Sequence, residues 1–404
     1  MAISSSCWLL KQCLDVVFLF VVVVTGINPL ANGCFTSIFS FGDSLMDTGN
    51  LLEISLSESK KLPPSAFFPN GRTFFHHPAG RRCDGRLVID FLGTYIHLIG
   101  FIINGFRSRG MVLAAEGLGI PFLQPSYGAK NRKLVKFEKG LNFAVAGATA
   151  LNSSFLKANI GIHDGNTDIS FGDELNSFKE LLPSLCSSSS HCKMLLRNSL
   201  IVMGEIGGND YRHAFKQGIK VEKIRQLVPL VVDVVASAIN ELVELGAVTF
   251  LVPGGFPIGC SPDLLTKFQG SNKDKYDPLT GCLTWLNQFS EHHNELLRKE
   301  LENLRNHHPD ITIVYADYYN TTMRFYHSPK QFGFKETLKA CCGTGGPYSY
   351  NSSRSCGYPP LKSSCNNPFS YISWDGMHYT EAANKWLANA VFEELMKAVT
   401  CVPH

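Results

Sequence analysis

The chain has 404 residues, 45% of them hydrophobic and 18% charged, which supplies a large buried core and excludes a disordered protein. A formal charge of +3 is nearly balanced, and no lysine or arginine tract and no acidic tail marks a nucleic-acid partner. Length does not divide the chain by itself, because single α/β domains reach this size.

At the N-terminus Lys11 precedes the apolar run VVFLFVVVV at 16–24, and small residues follow at Ala31 and Gly33. That order predicts a secretory signal peptide over 1–33, and the run is shorter than the roughly 20 residues of a spanning helix. The expected mature chain is one domain, 34–404, monomeric, without a membrane anchor, and exported to the extracellular space or the vacuole. Cysteine usage fits export. Of 13 cysteines, Cys7 and Cys13 leave with the signal, and none of the others shows a paired CxxC spacing. Local bridge candidates are Cys186–Cys192 and Cys260–Cys282, while Cys341, Cys342, Cys356 and Cys365 form a cluster whose connectivity stays open. An odd number remains, so at least one thiol is left over. Asn152, Asn320 and Asn351 each begin a glycosylation triplet.

In chain order, apolar runs at 37–41, 200–203, 248–252 and 311–315 predict strands. Apolar residues recurring at three and four predict helices over 221–245 and 285–304. Strand–helix–strand alternation argues for a parallel sheet covered on both faces. Residues 343–368, rich in Gly, Pro, Ser, Asn and Cys, read as a stapled loop before a final helix.

Four short blocks carry the chemistry. FSFGDSLMDTGN at 39–50 places Ser44 just past a strand end on a glycine-assisted turn, where open parallel sheets bind ligands. Alone, this reads equally well as an Asp-Ser helix cap. SWDGMH at 373–378 sets Asp375 and His378 three residues apart, so that one short segment supplies the base a serine nucleophile needs and the acid that orients it. NFAVAGATA at 142–150 brings Gly147 into a small-residue loop, and GEIGGNDY at 204–211 brings Asn209 to a strand end. A backbone N–H and an asparagine amide are the donors an oxyanion hole uses. A packing glycine and a turn asparagine are the bland alternatives.

Together and in this order the blocks resemble the plant GDSL-type esterase/lipase family within the SGNH hydrolases. The stretches GRTFFHHPAG, CDGRLVIDF, VPGGFPIGC, YADYYN, ACCGTGG and WDGMHYTEAAN extend the resemblance over nearly the whole mature chain. It is strongest to the branch containing acetylajmalan esterase and sinapine esterase. No GxSxG elbow is present, which argues against the ordinary α/β-hydrolase arrangement. The resemblance implies a three-layer α/β/α SGNH-hydrolase (flavodoxin-like) fold with a central parallel sheet. It also implies a triad of Ser44, Asp375 and His378, with an oxyanion hole from Ser44, Gly147 and Asn209. The expected activity is hydrolysis of a small-molecule ester, such as an alkaloid acetate or a choline ester of a phenolic acid. Neither metal nor organic cofactor is called for. Two other readings are an acyltransferase or long-chain lipase using the same acyl-enzyme, and a non-catalytic protein that kept the fold.

The chain departs from that pattern at residues 93–114, an atypical insertion whose removal would join DFL directly to AEGLGIPFL. It reads either as a translated retained intron or as a genuine loop insertion, and is expected to interrupt a helix that starts near Leu87. Met46, close to Ser44, is a candidate for the acyl pocket, and Trp374, Phe75, His76 and His77 for pocket lining.

Overall fold

A computed structural model of the chain describes residues 35–102, 122–129, 140–162, 167–270, 272–358 and 364–399. The signal segment, Cys34, Cys401 and residues 103–114 of the insertion lie outside them. The main elements in chain order are β1 (Ser37–Ser40), α1 (Val88–Ile102), β2 (Gly140–Asn142), α2 (Phe171–Leu185), β3 (Ser199–Val202), α3 (Gly208–Lys216) and α4 (Leu227–Leu245). They continue with β4 (Thr249–Pro253), α5 (Pro262–Lys267), α6 (Thr284–His307), β5 (Thr312–Ala316), β6 (Glu336–Ala340), β7 (Tyr371–Ser373) and α7 (Glu381–Ala398).

β1 to β5 form one parallel sheet in the order β2-β1-β3-β4-β5. Side chains alternate across a strand, so each strand feeds two cores. Phe39, Ile201, Phe250 and Ile313 pack against α2, α4 and α6, whereas Ile38, Leu200, Leu251 and Val314 pack against α1 and α7. Helices thus cover both faces, giving the three-layer α/β/α arrangement with its central parallel sheet.

The strand order dictates where a ligand can sit. From β1 the chain crosses to β2 on one side and then to β3 on the other, so a crevice opens between the carboxyl ends of β1 and β3. At those exits Gly42 and Gly204 nearly touch. A Cβ on Gly204 would lie 2.0 Å from the Phe41 carbonyl oxygen, and both glycines have positive φ, +120° and +66°. A side chain at Gly204 would force the two loops apart.

A second sheet, β6 paired in parallel with β7, stands beside the first. Two disulfides, Cys341–Cys365 and Cys342–Cys356, resolve the open connectivity of the cysteine cluster. Cys186–Cys192 and Cys260–Cys282 are paired as expected, and Cys83 is a buried free thiol.

Two expectations are corrected. The insertion does not interrupt its helix at the start, because α1 runs on through Ile102. Tyr95 and Ile96 are buried, and the Tyr95 hydroxyl donates to Asn389 Oδ1 at 2.7 Å while its ring lies 5.2 Å from Phe392 of α7. Helical spacing and these contacts suffice to continue the turn. The helix expected over 221–245 is two helices, Val221–Arg225 and then α4. Pro229 lacks the N–H that would bond the Arg225 carbonyl.

Candidate active site

Ser44 lies on the turn that leaves β1, its conformation set from both sides. Gly42 N donates to Glu174 Oε2 at 2.9 Å, and Leu45 N donates to Asp43 Oδ1 at 2.9 Å. Asp47 gathers the rest of the loop, accepting from Gly49 N, Asn50 N and Leu51 N, and reaches across to Ala146 N at 2.8 Å. The loop after β1 is thereby locked to the one after β2. Asp210, at the start of α3, accepts from Ala150 N at 2.8 Å and Leu151 N at 3.0 Å, locking the β2 and β3 loops. Burial pushes the Asp210 carboxyl up to about 7 and also raises Asp47 and Glu174.

The structure brings Ser44, His378 and Asp375 together although 334 residues separate the first two. His378 Nε2 is 2.8 Å from Ser44 Oγ, and His378 Nδ1 is 2.8 Å from each Asp375 oxygen. All three residues are buried. Asp375 Oδ1 also accepts from Met377 N at 3.1 Å and His378 N at 3.0 Å, so the carboxylate caps the tight loop that follows β7. That loop is pinned in turn by Trp374 N to His378 O and by Cys342 N to Trp374 O.

Burial opposes the charge on Asp375, but His378 and then Arg82 hold its carboxyl well below the usual range. For His378 burial is the larger effect: it outweighs the pull of Asp375 and, with Arg82 and Arg212, lowers the imidazole below 6.5. A neutral imidazole with one nitrogen on a carboxylate and the other facing a hydroxyl has the geometry that general-base catalysis requires.

Gly147 lies on the same cleft with φ +92°. Asn209, half-buried at the start of α3, donates its amide to Asp43 Oδ2 at 2.9 Å and to the Ala148 carbonyl at 3.0 Å. The cleft has a volume of about 750 Å³ and is lined by Ser44, Gly147, Asn209 and His378 among others. Asn152 and Asn320 are exposed and Asn351 is half-buried. No group of three or more metal-ligating side chains occurs among the described residues.

Some expected residues lie elsewhere. Met46 is fully buried in the core shared with α1 and α7, not at the acyl pocket. Trp374 packs among Cys341, Cys342 and Cys356, donating its indole N–H to Asn70 Oδ1 at 2.9 Å. Phe75 packs on Phe122 and beneath the Arg81 guanidinium, and neither it nor His76 or His77 lines the cleft. Conversely, Arg82, Asp47, Asp210 and Glu174 escaped sequence reasoning. Asp47 and Asp210 carried a usable signal, since each lies inside a recognised block, whereas Arg82 and Glu174 reach the site from outside all four.

The GDSL-like lipase/acylhydrolase family model matches residues 38–391, nearly all of the described chain. The chain belongs to the GDSL lipase/acylhydrolase family. Among similar proteins, the Arabidopsis thaliana GDSL esterase/lipase At1g28600 is 50% identical over 374 residues, covering 92% of this chain and 87% of the relative. The Arabidopsis thaliana GDSL esterase/lipase At2g27360 is 49% identical over 390 residues, covering 96% of this chain and 91% of the relative. This GDSL-family chain is a carboxylic ester hydrolase, and the crevice between β1 and β3 is where its fold places reactive groups.

Proposed function

We propose that the enzyme cleaves esters through a covalent acyl-enzyme on Ser44, with His378 as general base and Asp375 orienting it. The unbroken path from Ser44 Oγ through His378 to Asp375 is the observation that supports this reading most directly. Ser44 Oγ attacks the ester carbonyl as its proton passes to His378 Nε2, and the resulting oxyanion is held by Ser44 N–H, Gly147 N–H and Asn209 Nδ2, which turns one N–H to it from the Ala148 carbonyl. Collapse expels the alcohol, which takes the proton from His378. Water, deprotonated by the same nitrogen, then attacks the acyl carbon and releases the acid. An alcohol acceptor in place of water would make the enzyme a transferase, and product analysis with added alcohol separates the two.

The substrate proposed is a small plant-metabolite ester, the protein acting after export through the secretory route. Four disulfides among the described residues support an oxidising destination. Glycans at Asn152, Asn320 and Asn351 belong to the same reading.

Treatment with a fluorophosphonate tests the nucleophile. The expected result is a single adduct on the Ser44 peptide by mass spectrometry, formed in step with loss of p-nitrophenyl butyrate hydrolysis. Hydrolysis that survives labelling, or an adduct elsewhere, overturns the assignment.

Two further outcomes follow from the geometry. Asn209→Ala should lower kcat about 100- to 1,000-fold with little change in KM, since the lost donor acts on the developing oxyanion. The acid limb of kcat/KM should have its midpoint below pH 6.5. Activity requires neutral His378, burial lowers its proton affinity, and so the active form persists to lower pH than for a free imidazole. A pH–rate profile with a midpoint above 6.5 contradicts this.

A further inference from the structure

The cleft wall beside His378 has more positive than negative charge. Arg82, Arg212 and Lys216 line it, and the carboxylates in ion pairs with them are Asp263 and Asp375, three cations against two. The cluster is built onto the catalytic loop: Asp263 N, at the start of α5, donates to Gly376 O at 3.2 Å. Arg212 Nη1 donates to both oxygens of Asp263. Arg82 Nη2 lies 3.2 Å from Asp375 Oδ2, while its buried Nε has no hydrogen-bond partner. Lys216 is the least satisfied. Its ammonium lies 3.4 Å from Asp263 Oδ2 and otherwise donates to the Met377 thioether at 3.2 Å, a weak acceptor for one of three N–H groups.

The rest of the cleft does not cancel this excess. Lys61 and Lys267 add two cations, and Lys61 rests on the Tyr358 ring at 4.3 Å rather than on a carboxylate. The other two carboxylates, Asp43 and Glu205, are buried, which disfavours the charge on both; even counted as charged, with Asp263 and Asp375 they make four carboxylates against five cations. Burial disfavours the Lys216 cation, Asp263 pulls the other way and Arg212 opposes it again, and an incoming anion would add to the pull of Asp263.

We infer that Lys216, backed by Arg82 and Arg212, forms an anion subsite next to the triad, and that the natural substrate is an ester bearing a carboxylate. This rests on the ester-hydrolase reading of the same cleft and narrows it. A carboxylate placed there completes the Lys216 hydrogen bonds and balances the wall, whereas a cationic choline ester meets like charge.

The test uses three aryl acetates of matched shape, anionic meta-acetoxybenzoate, neutral meta-acetoxybenzamide and cationic meta-acetoxy-N,N,N-trimethylanilinium. Each kcat/KM is normalised to the ester's own hydroxide-catalysed rate. The anionic ester is expected to be preferred over the neutral one about tenfold, the worth of one charge-assisted hydrogen bond. The preference should fall to near parity in Lys216→Gln, be kept in Lys216→Arg, and shrink as salt is added. Equal or faster turnover of the cationic ester, or an unchanged ratio in Lys216→Gln, overturns the subsite. Calorimetric titration of Ser44→Ala with meta-acetoxybenzoate and meta-acetoxybenzamide, with and without Lys216→Gln, reads the same preference without catalysis. If none of the three esters is hydrolysed, the hydrolase reading fails by itself, and the calorimetric ratio still decides the subsite.

Discussion

Ser44→Ala should lower kcat/KM for p-nitrophenyl butyrate by about five to six orders of magnitude while leaving the fold in place. Removing the nucleophile of a serine triad forfeits the whole covalent route, and what remains comes from the oxyanion hole and substrate binding. The substitution deletes one oxygen at the rim of an open cleft, where water can replace it as partner to His378 Nε2. Unfolding free energy should therefore change by less than about 1 kcal/mol in urea denaturation. A loss below about 100-fold would mean that another group carries the reaction.

Asp375→Asn should lower kcat/KM by about 10,000-fold, and unlike the serine change it should also weaken the protein. An amide in place of the carboxylate stabilises the wrong imidazole tautomer and gives no charge to the imidazolium formed in the transition state. It also strips Arg82 of its carboxylate in a place where the two side chains are only 11% and 3% exposed. Breaking a buried pair from one side costs about 3–5 kcal/mol, and the low end applies because the Asn oxygen can still accept from Met377 N and His378 N. Steady-state kinetics gives the first loss and urea denaturation the second. A full-activity, full-stability variant would show that Asp375 neither orients His378 nor anchors Arg82.

The sheet was legible because its strands are short, fully buried and separated by amphipathic helices. Four of the five strands lie within one or two residues of their apolar runs. β2 was not legible, since three residues between Gly140 and Asn142 make no pattern. β6 and β7 escaped for another reason: their segment is held by two disulfides and by the buried Trp374 rather than by alternating apolar residues. The Ser44–Asp375–His378 constellation was legible because each block keeps its reactive residue at a strand end or on a tight turn. The charges that tune it were not. Arg212 and Lys216 lie one turn apart on α3, but Arg82 joins them only when a distant segment folds against that helix, and nothing in its local sequence marks that meeting.

The two halves of the site stand on different foundations. Ser44 rides on the main sheet, whereas Asp375 and His378 ride on a small appendage in which Cys341–Cys365 and Cys342–Cys356 tie the end of β6 to the loop leading into β7. Bridges of this kind close in oxidising compartments and stay open in reducing ones. Trp374, next to Asp375, packs against Cys341, Cys342 and Cys356, so the loop that carries Asp375 and His378 leans on these bridges. The seat of Asp375 and His378 is thus tied to oxidation, whereas the turn that carries Ser44 is held by hydrogen bonds.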